Sequence, residues 1–466
     1  MYSITIKNLG KSIKVGGKET ILSALRRNHI IIPAVCGGLG ICGTCRIKIL
    51  EGDATKPTER EIVVLGNLTE KGWRLACQAY ALSDLVIVVP VLHSKKSKVR
   101  KIKEFEIDPD FRIVPIDLDH DGHISIEEIL IAGLSKIGLN LSEVDICVLR
   151  SLASFSSGKN VVLSYGKAIA TTDKMTGYGL AIDIGTTTVA ISLRDLIGGR
   201  LVDETSMINR QTVYGMDIIS RISHCRNKDG LAELKKAVVE TINVSLNKIL
   251  KRNNVSKDEI YRVVVSGNSV MTHIFLGIDP TSLGRLPFKP VFRRMMHVKA
   301  REIGIDVHEN ADIITLPLLG SYIGGDLVGD ILASDFLEYE NSILIDIGTN
   351  GEVLLKKGED IYATSVPAGP AFEGMGMRSG VIAKDGAIES FRIVDGHIVE
   401  YSTINNESPI GICGTGYIDI LTELVNHRVL DKNGRFSQAS NERLTIKDGL
   451  KVYIVEYSKN TVTGED

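Results

Sequence analysis

Leu180-Ala-Ile-Asp183-Ile-Gly185-Thr186-Thr187-Thr188-Val-Ala-Ile-Ser-Leu193 reads as a buried strand, a tight Gly-Thr turn and a returning strand. The pattern recurs 163 residues later as Ile343-Leu-Ile-Asp346-Ile-Gly348-Thr349-Asn350-Gly351-Glu352-Val-Leu-Leu355. One copy says little, because buried hairpins often carry Gly-Thr turns. Two copies on matching strands imply two similar lobes facing each other across a cleft. Glycine lets the backbone approach a phosphate closely, so that N–H groups and Thr hydroxyls donate to its oxygens. An Asp at the strand end can hold Mg²⁺ directly or through water, since Mg²⁺ takes only one or two carboxylates. A nucleotide between the lobes is the expected ligand.

Upstream, three cysteines crowd into Cys36-Gly-Gly-Leu-Gly-Ile-Cys42-Gly-Thr-Cys45, and a fourth follows in Arg74-Leu-Ala-Cys77-Gln. A glycine-rich loop with three thiolates suits the wrap around an inorganic cluster, because glycine reaches the left-handed conformations a tight wrap needs. The remote cysteine completes a four-thiolate set. Zinc is the competing reading of Cys42-x-x-Cys45, but zinc sites usually repeat the pair, and Cys36 and Cys77 do not form a second one. The spacing resembles [2Fe-2S] ferredoxins of the adrenodoxin-like kind. The flanks predict a β-grasp: strands Ile4–Leu9 and Lys11–Val15, helix Thr20–Arg27, strand Arg46–Glu51 and closing strand Leu85–Val91. Cys147, Cys225 and Cys413 lack such spacing and are expected as small buried residues.

The chain has 466 residues, too many for one hydrophobic core. Its 55 basic and 57 acidic side chains nearly cancel, which argues against a dedicated nucleic-acid binder. No apolar run approaches the ~20 residues of a membrane span, and the alternating N-terminus does not read as a signal peptide. A soluble, cytoplasmic protein is expected. The basic run Lys95–Lys103 reads as a solvated linker. Asp117-Leu-Asp119-His-Asp121-Gly122 through Glu128 matches an EF-hand loop on paper. It lacks an entering helix and a partner loop, and Ser125 with Glu128 reads more simply as the capping box of helix Ile126–Ile137.

The paired DIGTTT and DIGTNGE turns look like the two phosphate loops of the acetate and sugar kinase, Hsp70 and actin superfamily. The segments Tyr214-Gly-Met-Asp217-Ile-Ile-Ser-Arg221, Gly267-Asn268-Ser-Val-Met271-Thr-His273, Leu283-Gly-x-x-Pro287-Phe and Ala368-Gly-Pro-Ala-Phe-Glu373-Gly are similar to the reductive activators of corrinoid enzymes. The resemblance covers nearly the whole chain. It implies a multidomain α/β protein: a β-grasp [2Fe-2S] ferredoxin domain over 1–92, a basic linker and small helical segment over 93–176, and a two-lobed actin-like ATPase domain over 177–466. It also implies use of ATP to drive an electron from the cluster to cob(II)amide, regenerating cob(I)amide.

On this resemblance Cys36, Cys42, Cys45 and Cys77 hold the cluster. Asp183 and Asp346 organise Mg²⁺, and Gly185, Thr186, Thr187, Thr188, Gly348, Thr349 and Asn350 contact the phosphates. Asp326 is the candidate for activating the attacking water, with a helix N-cap as its plainer alternative, and Glu352 for orienting that water, with a paired structural carboxylate as its equal alternative. Gly411-Ile-Cys-Gly414-Thr415-Gly416 is expected as a further nucleotide loop ahead of helix Tyr417–Val425, unless helix packing alone explains its glycines. His273 reads as a core histidine rather than a cobalt ligand, and Ser379 as a residue reaching the corrinoid. The expected partners are a corrinoid methyl-carrier protein and a low-potential electron donor, with a homodimer left open and neither nucleic acid nor membrane. Family members usually continue beyond the position of Asp466, so the ATPase domain is expected to be incomplete at its C-terminal end. The rival readings are a phosphotransferase of the acetate or sugar kinase type with a redox-sensing ferredoxin domain, and a simple electron carrier.

Overall fold

The N-terminal sheet is built from β1 (Tyr2–Ile6), β2 (Lys11–Val15), β3 (Arg46–Glu51), β4 (Trp73–Leu75) and β5 (Leu85–Val88), in the order β2-β1-β5-β3-β4. The structure is a computed structural model. It describes the chain except residues 29, 31, 33, 35–37, 39, 41, 42, 44, 90–109, 117–123, 154–159, 349, 368–376, 378, 382, 384, 395–397, 438–441, 448, 465 and 466. Helix α1 (Ile21–Arg27) lies across the sheet. Thr20 caps it by accepting the Ser23 N–H, and Ile21, Leu22, Ala24 and Leu25 form its buried face. The alternating Ile4, Ile6, Ile13 and Val15 meet that face, as a half-buried strand pair requires. This is the expected β-grasp. Strand β1 is shorter than predicted, because Lys7–Leu9 turns into a 3₁₀ segment closed by Gly10 at φ 60°.

Helix α2 (Glu59–Leu65) is tied to the sheet by one buried ion pair. Glu61 and Arg74 are 0 % and 5 % exposed, with both guanidinium–carboxylate contacts at 2.9 Å. The Glu61 carboxylate also accepts the N–H groups of Thr58 and Leu75, so every part of it is used. Removing one partner of such a pair strands the other charge. Glu61→Ala is therefore expected to destabilise this domain by about 3–5 kcal/mol. Denaturant unfolding followed at Trp73, the single tryptophan of the chain, measures it; an unchanged midpoint contradicts it.

A second unit comprises β6 (Phe111–Pro115), α3 (Ile126–Lys136), β7 (Glu143–Val144), α4 (Ile146–Leu152), β8 (Asn160–Ser164) and β9 (Lys167–Thr172), with strand order β6-β8-β9-β7. The sequence reading expected only a small helical segment here. Its strands are short and joined by the Tyr165-Gly166 turn, both at positive φ, so they give little periodic signal. The Ser125–Glu128 capping box opens α3 as expected. The EF-hand-like stretch before it and the basic run Lys95–Lys103 lie outside the described residues.

The third unit contains β10 (Tyr178–Ile184), β11 (Thr188–Asp195), β12 (Leu201–Ile208), α5 (Ile218–His224), α6 (Gly230–Asn253), β13 (Ile260–Gly267), α7 (Ser269–Leu276), β14 (Met296–Lys299), α8 (Ala300–Ile303) and β15 (Asp312–Thr315). Its sheet runs β12-β11-β10-β13-β15-β14. Leu234, Val238, Ile242, Leu246 and Ile249 make an apolar stripe at helical spacing along α6 and share a core with Ile182, Ile184, Val263 and Val265. Phe111, Val162 and Tyr261 join the second unit to this one through a smaller apolar cluster.

The fourth unit starts with α9 (Gly325–Ala333), followed by β16 (Asn341–Ile347), β17 (Asn350–Lys357) and β18 (Asp360–Pro367), which form a three-stranded antiparallel sheet. One face packs Leu344 and Leu354 against Leu327 and Phe336. The other face carries Ile343, Ile345 and Ile347, which are 64, 61 and 65 % exposed. The reading of β16 as a buried strand is thus corrected: among the described residues only one of its faces is covered. Strands β19 (Ala387–Val394), β20 (Ile398–Thr403) and β21 (Gly411–Ile412) pack on α10 (Gly414–Asn426). A hairpin of β22 (Leu444–Lys447) and β23 (Leu450–Tyr453) follows. Among the described residues no helix is long and apolar enough to cross a membrane.

Candidate functional site

The first Gly-Thr turn joins β10 to β11 and is held from behind. Asn209 Nδ2 donates to the Gly185 carbonyl at 2.9 Å, Arg221 donates to the Thr186 carbonyl, and the Asn209 N–H donates to the Thr187 carbonyl at 2.8 Å. A trans peptide sends its N–H opposite to its C=O, so these contacts turn the Thr186 and Thr187 N–H groups away from the brace. Gly185 has no room for a side chain, since a Cβ would sit 2.7 Å from the Thr188 carbonyl oxygen. The Thr187 hydroxyl is buried with no hydrogen-bond partner among the described residues. A buried donor without a partner is costly, and a phosphate oxygen would satisfy it. The turn fits a nucleotide phosphate.

Two further glycine turns close on the first. Asn268 caps α7 and reaches the Thr186 hydroxyl at 3.5 Å. Gly324, the N-cap of α9, approaches so closely that a Cβ would lie 2.4 Å from Asn268 Cα. This contact fixes where α9 begins, and so where its acids point.

Asp326 and Asp330 stand one turn apart on α9. Asp183 comes from the end of β10, while Asp346 and Glu352 face one another across the β16–β17 register. Burial and mutual repulsion push Asp326 and Glu352 up to about 7, and Asp183 and Asp330 up to about 6. Burial also raises Asp346. Asp183 retains accessible surface while protein surrounds it, as a group on the floor of an open cleft would. Glu352 is 3 % exposed and accepts from the Ser365 hydroxyl at 3.2 Å. The structure thus brings Asp183, Asp326, Asp346 and Glu352 together. Sequence reasoning missed Asp330, although its i, i+4 spacing from Asp326 was the available signal. Among the described residues no three of these acids converge as a direct cation ligand set. One or two of them with retained water is the arrangement Mg²⁺ prefers.

These shifts carry a sign. Through these acids the folded chain holds more protons than the unfolded one between about pH 4 and 7, so their contribution to stability falls as pH rises through that window. The unfolding temperature of the nucleotide-free chain is expected to drop by at least about 2–4 °C between about pH 5.5 and 7.5. Asp326→Asn should flatten this dependence, and Mg²⁺ with nucleotide should offset it. A profile identical in wild type and variant contradicts the reading.

In the N-terminal domain, Cys45 ends the cysteine loop at the start of β3, and Cys77 follows β4. Both are buried, and their sulfurs stand 3.3 Å apart, well beyond the ~2.05 Å of a disulfide. Gln78 Nε2 lies 3.6 Å from the Cys77 sulfur and also donates to the Gly38 carbonyl. Gly38, Gly40 and Gly43 sit at φ 104°, 76° and 70°, the left-handed conformations expected of a wrapping loop. Two facing buried sulfurs on such a loop, with an amide donor nearby, fit an iron–sulfur cluster. Cys36 and Cys42 lie outside the described residues, as do Thr349 and the Ala368–Gly374 motif.

The remaining candidates divide. Asp326 is not a helix N-cap; Gly324 is. Gly348 and Asn350 flank the second turn, where the Gly348 N–H donates to the Asn350 carbonyl at 3.1 Å. Gly414, Thr415 and Gly416 form the first turn of α10, which begins three residues earlier than predicted. Its glycines have a packing reason, since a Cβ on Gly416 would lie 2.3 Å from the Ile388 carbonyl oxygen. His273 is fully buried, with Nδ1 2.7 Å from the Ser269 carbonyl and Nε2 accepting the Val291 N–H. Both nitrogens are used within the fold, as expected of a core histidine. Ser379 is exposed, and its carbonyl accepts the Ile412 N–H. Cys225 and Cys413 are buried, and burial raises the Cys147 and Cys225 thiols to about 12, so neither is a reactive thiolate.

A β-grasp domain with facing cysteines, joined to an actin-like pair of lobes with acids between two Gly-Thr turns, defines an iron–sulfur protein fused to a nucleotide-dependent module. Family models match accordingly: a 2Fe-2S iron-sulfur cluster binding domain over residues 4–82, the RACo middle region over 178–339, and the C-terminal ASKHA domain of RACo over 340–466. A solved structure described as a reductive activator for a corrinoid, iron-sulfur protein is 30 % identical and superimposes with a TM-score of 0.69. That match covers 100 % of this chain and 79 % of the other. The corrinoid activation enzyme RamQ of Eubacterium limosum is 28 % identical over 444 residues, 92 % of this chain and 71 % of the relative. A Methanosarcina barkeri reductase of a methylated-amine-specific corrinoid protein is 26 % identical over 306 residues, and the match spans 55 % of its length. The chain belongs to the RACo family of reductive activators of corrinoid proteins.

Proposed function

We propose that this protein couples ATP turnover to one-electron reduction of a corrinoid protein, returning cob(II)amide to cob(I)amide. The observation that carries the reading is the union, in one chain of this family, of the facing Cys45–Cys77 pair with acids gathered between two Gly-Thr turns. When bound, the cluster supplies single electrons. Reducing Co(II) to Co(I) is demanding, and nucleotide that binds two conformations unequally can provide the missing free energy through lobe movement.

In this reading Cys36, Cys42, Cys45 and Cys77 are the cluster ligands, and Asp183 and Asp346 organise Mg²⁺. Gly185 to Thr188 and Gly348 to Asn350 contact phosphate. A base that takes a proton from water works best near neutral pKa, which Asp326 and Glu352 both reach at about 7. Residues 1–92, 93–176 and 177–466 are the proposed functional units. The protein would work in the cytoplasm, away from nucleic acid and membrane, and draw on a low-potential donor.

The test is MgATP hydrolysis by the cluster-loaded chain, with a cob(II)amide protein, a small sugar or acetate added in turn. Stimulation by the corrinoid protein alone supports the proposal. Stimulation by a small acceptor would instead favour a phosphotransferase.

A further inference from the structure

Among the described residues Arg221 is the largest fully buried side chain, 0 % exposed, and none of its acceptors there carries a charge. Nε donates to the Gly215 carbonyl at 2.9 Å, and Nη1 donates to Gln211 Oε1 at 3.0 Å and approaches Met271 Sδ at 2.8 Å. Nη2 donates to the Thr186 carbonyl in the first Gly-Thr turn. A buried guanidinium normally sits against a carboxylate, because taking a charge out of water is expensive. Here the nearest help is the long-range field of Asp217. Burial lowers the Arg221 pKa to about 9, which leaves the group charged at neutral pH.

The four contacts join three segments that are far apart in sequence. Gly215 lies in the Tyr214–Arg221 stretch and Gln211 just before it, Met271 lies in the Gly267–His273 stretch, and Thr186 lies in the phosphate turn. Gln211 is itself fixed, since Asn209 Nδ2 reaches both Gln211 Oε1 and the Gly185 carbonyl, and Gln211 Nε2 donates to the Leu234 carbonyl at 3.0 Å. Two motifs that otherwise carry no chemistry thus converge on one cation placed one peptide behind the turn.

We propose that Arg221 is a positioning residue for the nucleotide: its buried, uncompensated cation locks the Gly185–Thr187 turn and draws the polyphosphate to it. The charge left unpaired within the fold is completed by the ligand. This rests on the reading that nucleotide phosphate binds at this turn. A neutral substitution should then weaken phosphate binding without touching recognition of the nucleoside.

The experiment compares the affinities of MgATP and adenosine for the full chain, as wild type, Arg221→Met and Arg221→Lys, with thermal unfolding recorded for each. Arg221→Met is expected to lose MgATP affinity by about 30-fold, the scale of one charge acting at short range in a partly screened interior, while adenosine affinity changes less than about 3-fold. Arg221→Lys keeps the cation but not the fork of donors, and should fall between the two. Equal MgATP affinity in wild type and Arg221→Met overturns the proposal, and so does an equal loss of both ligands, which marks a purely structural role. Should Arg221→Met not fold, Arg221→Lys decides: a selective loss of MgATP supports the proposal, and a uniform loss or none overturns it. Failure of the wild-type chain to bind MgATP would remove the nucleotide reading itself, and this proposal with it.

Discussion

Asp346→Asn is expected to reduce ATP turnover by at least about 100-fold, the usual scale for losing one preorganised charge at a phosphoryl-transfer site, while the cluster absorption stays unchanged. Asp346 pairs in register with Glu352 and contributes to the raised pKa values of Asp183, Asp326, Asp330 and Glu352. Its carboxylate is held in a cleft where it repels its neighbours, a repulsion that a bound cation would relieve. The same substitution relieves that repulsion, and the nucleotide-free variant should unfold about 2–4 °C higher than wild type for each ~1 kcal/mol relieved. Loss of turnover with a gain in stability separates a functional acid from a structural one. Full turnover, or loss with a lower unfolding temperature, contradicts the assignment.

Cys77→Ser is expected to abolish the [2Fe-2S] spectrum and all electron transfer, because a four-thiolate set that loses one ligand no longer holds the cluster in its native state. The Cys77 sulfur lies 3.3 Å from that of Cys45, both in the core of the β-grasp domain. MgATP binding should persist, since the carboxylate cleft is built from other elements. Cys225→Ser is the control: Cys225 lies in the core under β10 and α6, so its variant should keep the cluster. A Cys77→Ser protein with a full spectrum, or a Cys225→Ser protein without one, contradicts the ligand set. Visible absorption and anaerobic iron content measure both.

The strongly patterned parts of the fold were legible in the sequence. Strands β2 and β3 coincide with their predicted limits, and the Ser125–Glu128 capping box forms as its spacing demands. Asp183, Asp326, Asp346 and Glu352 were each marked by a glycine turn, a strand end or a fixed offset, and the fold gathers them. What was not legible depends on tertiary contact. Arg221 stands in the sequence only as the end of a motif with no assigned role, and the fold shows it buried beneath Thr186. The glycines at 414 and 416 look the same in a phosphate loop and in a helix packed on Ile388. Nor does alternation in β16 reveal whether Ile343, Ile345 and Ile347 meet a neighbour; among the described residues they meet none that covers them.

The most direct test of the central claim is anaerobic visible spectroscopy of a cob(II)amide protein mixed with the reduced, cluster-loaded chain, with and without MgATP. Cob(I)amide forming only when MgATP is present, and failing to form with Asp346→Asn, is the predicted result. Reduction at the same rate without nucleotide would contradict the coupling and leave a simple electron carrier.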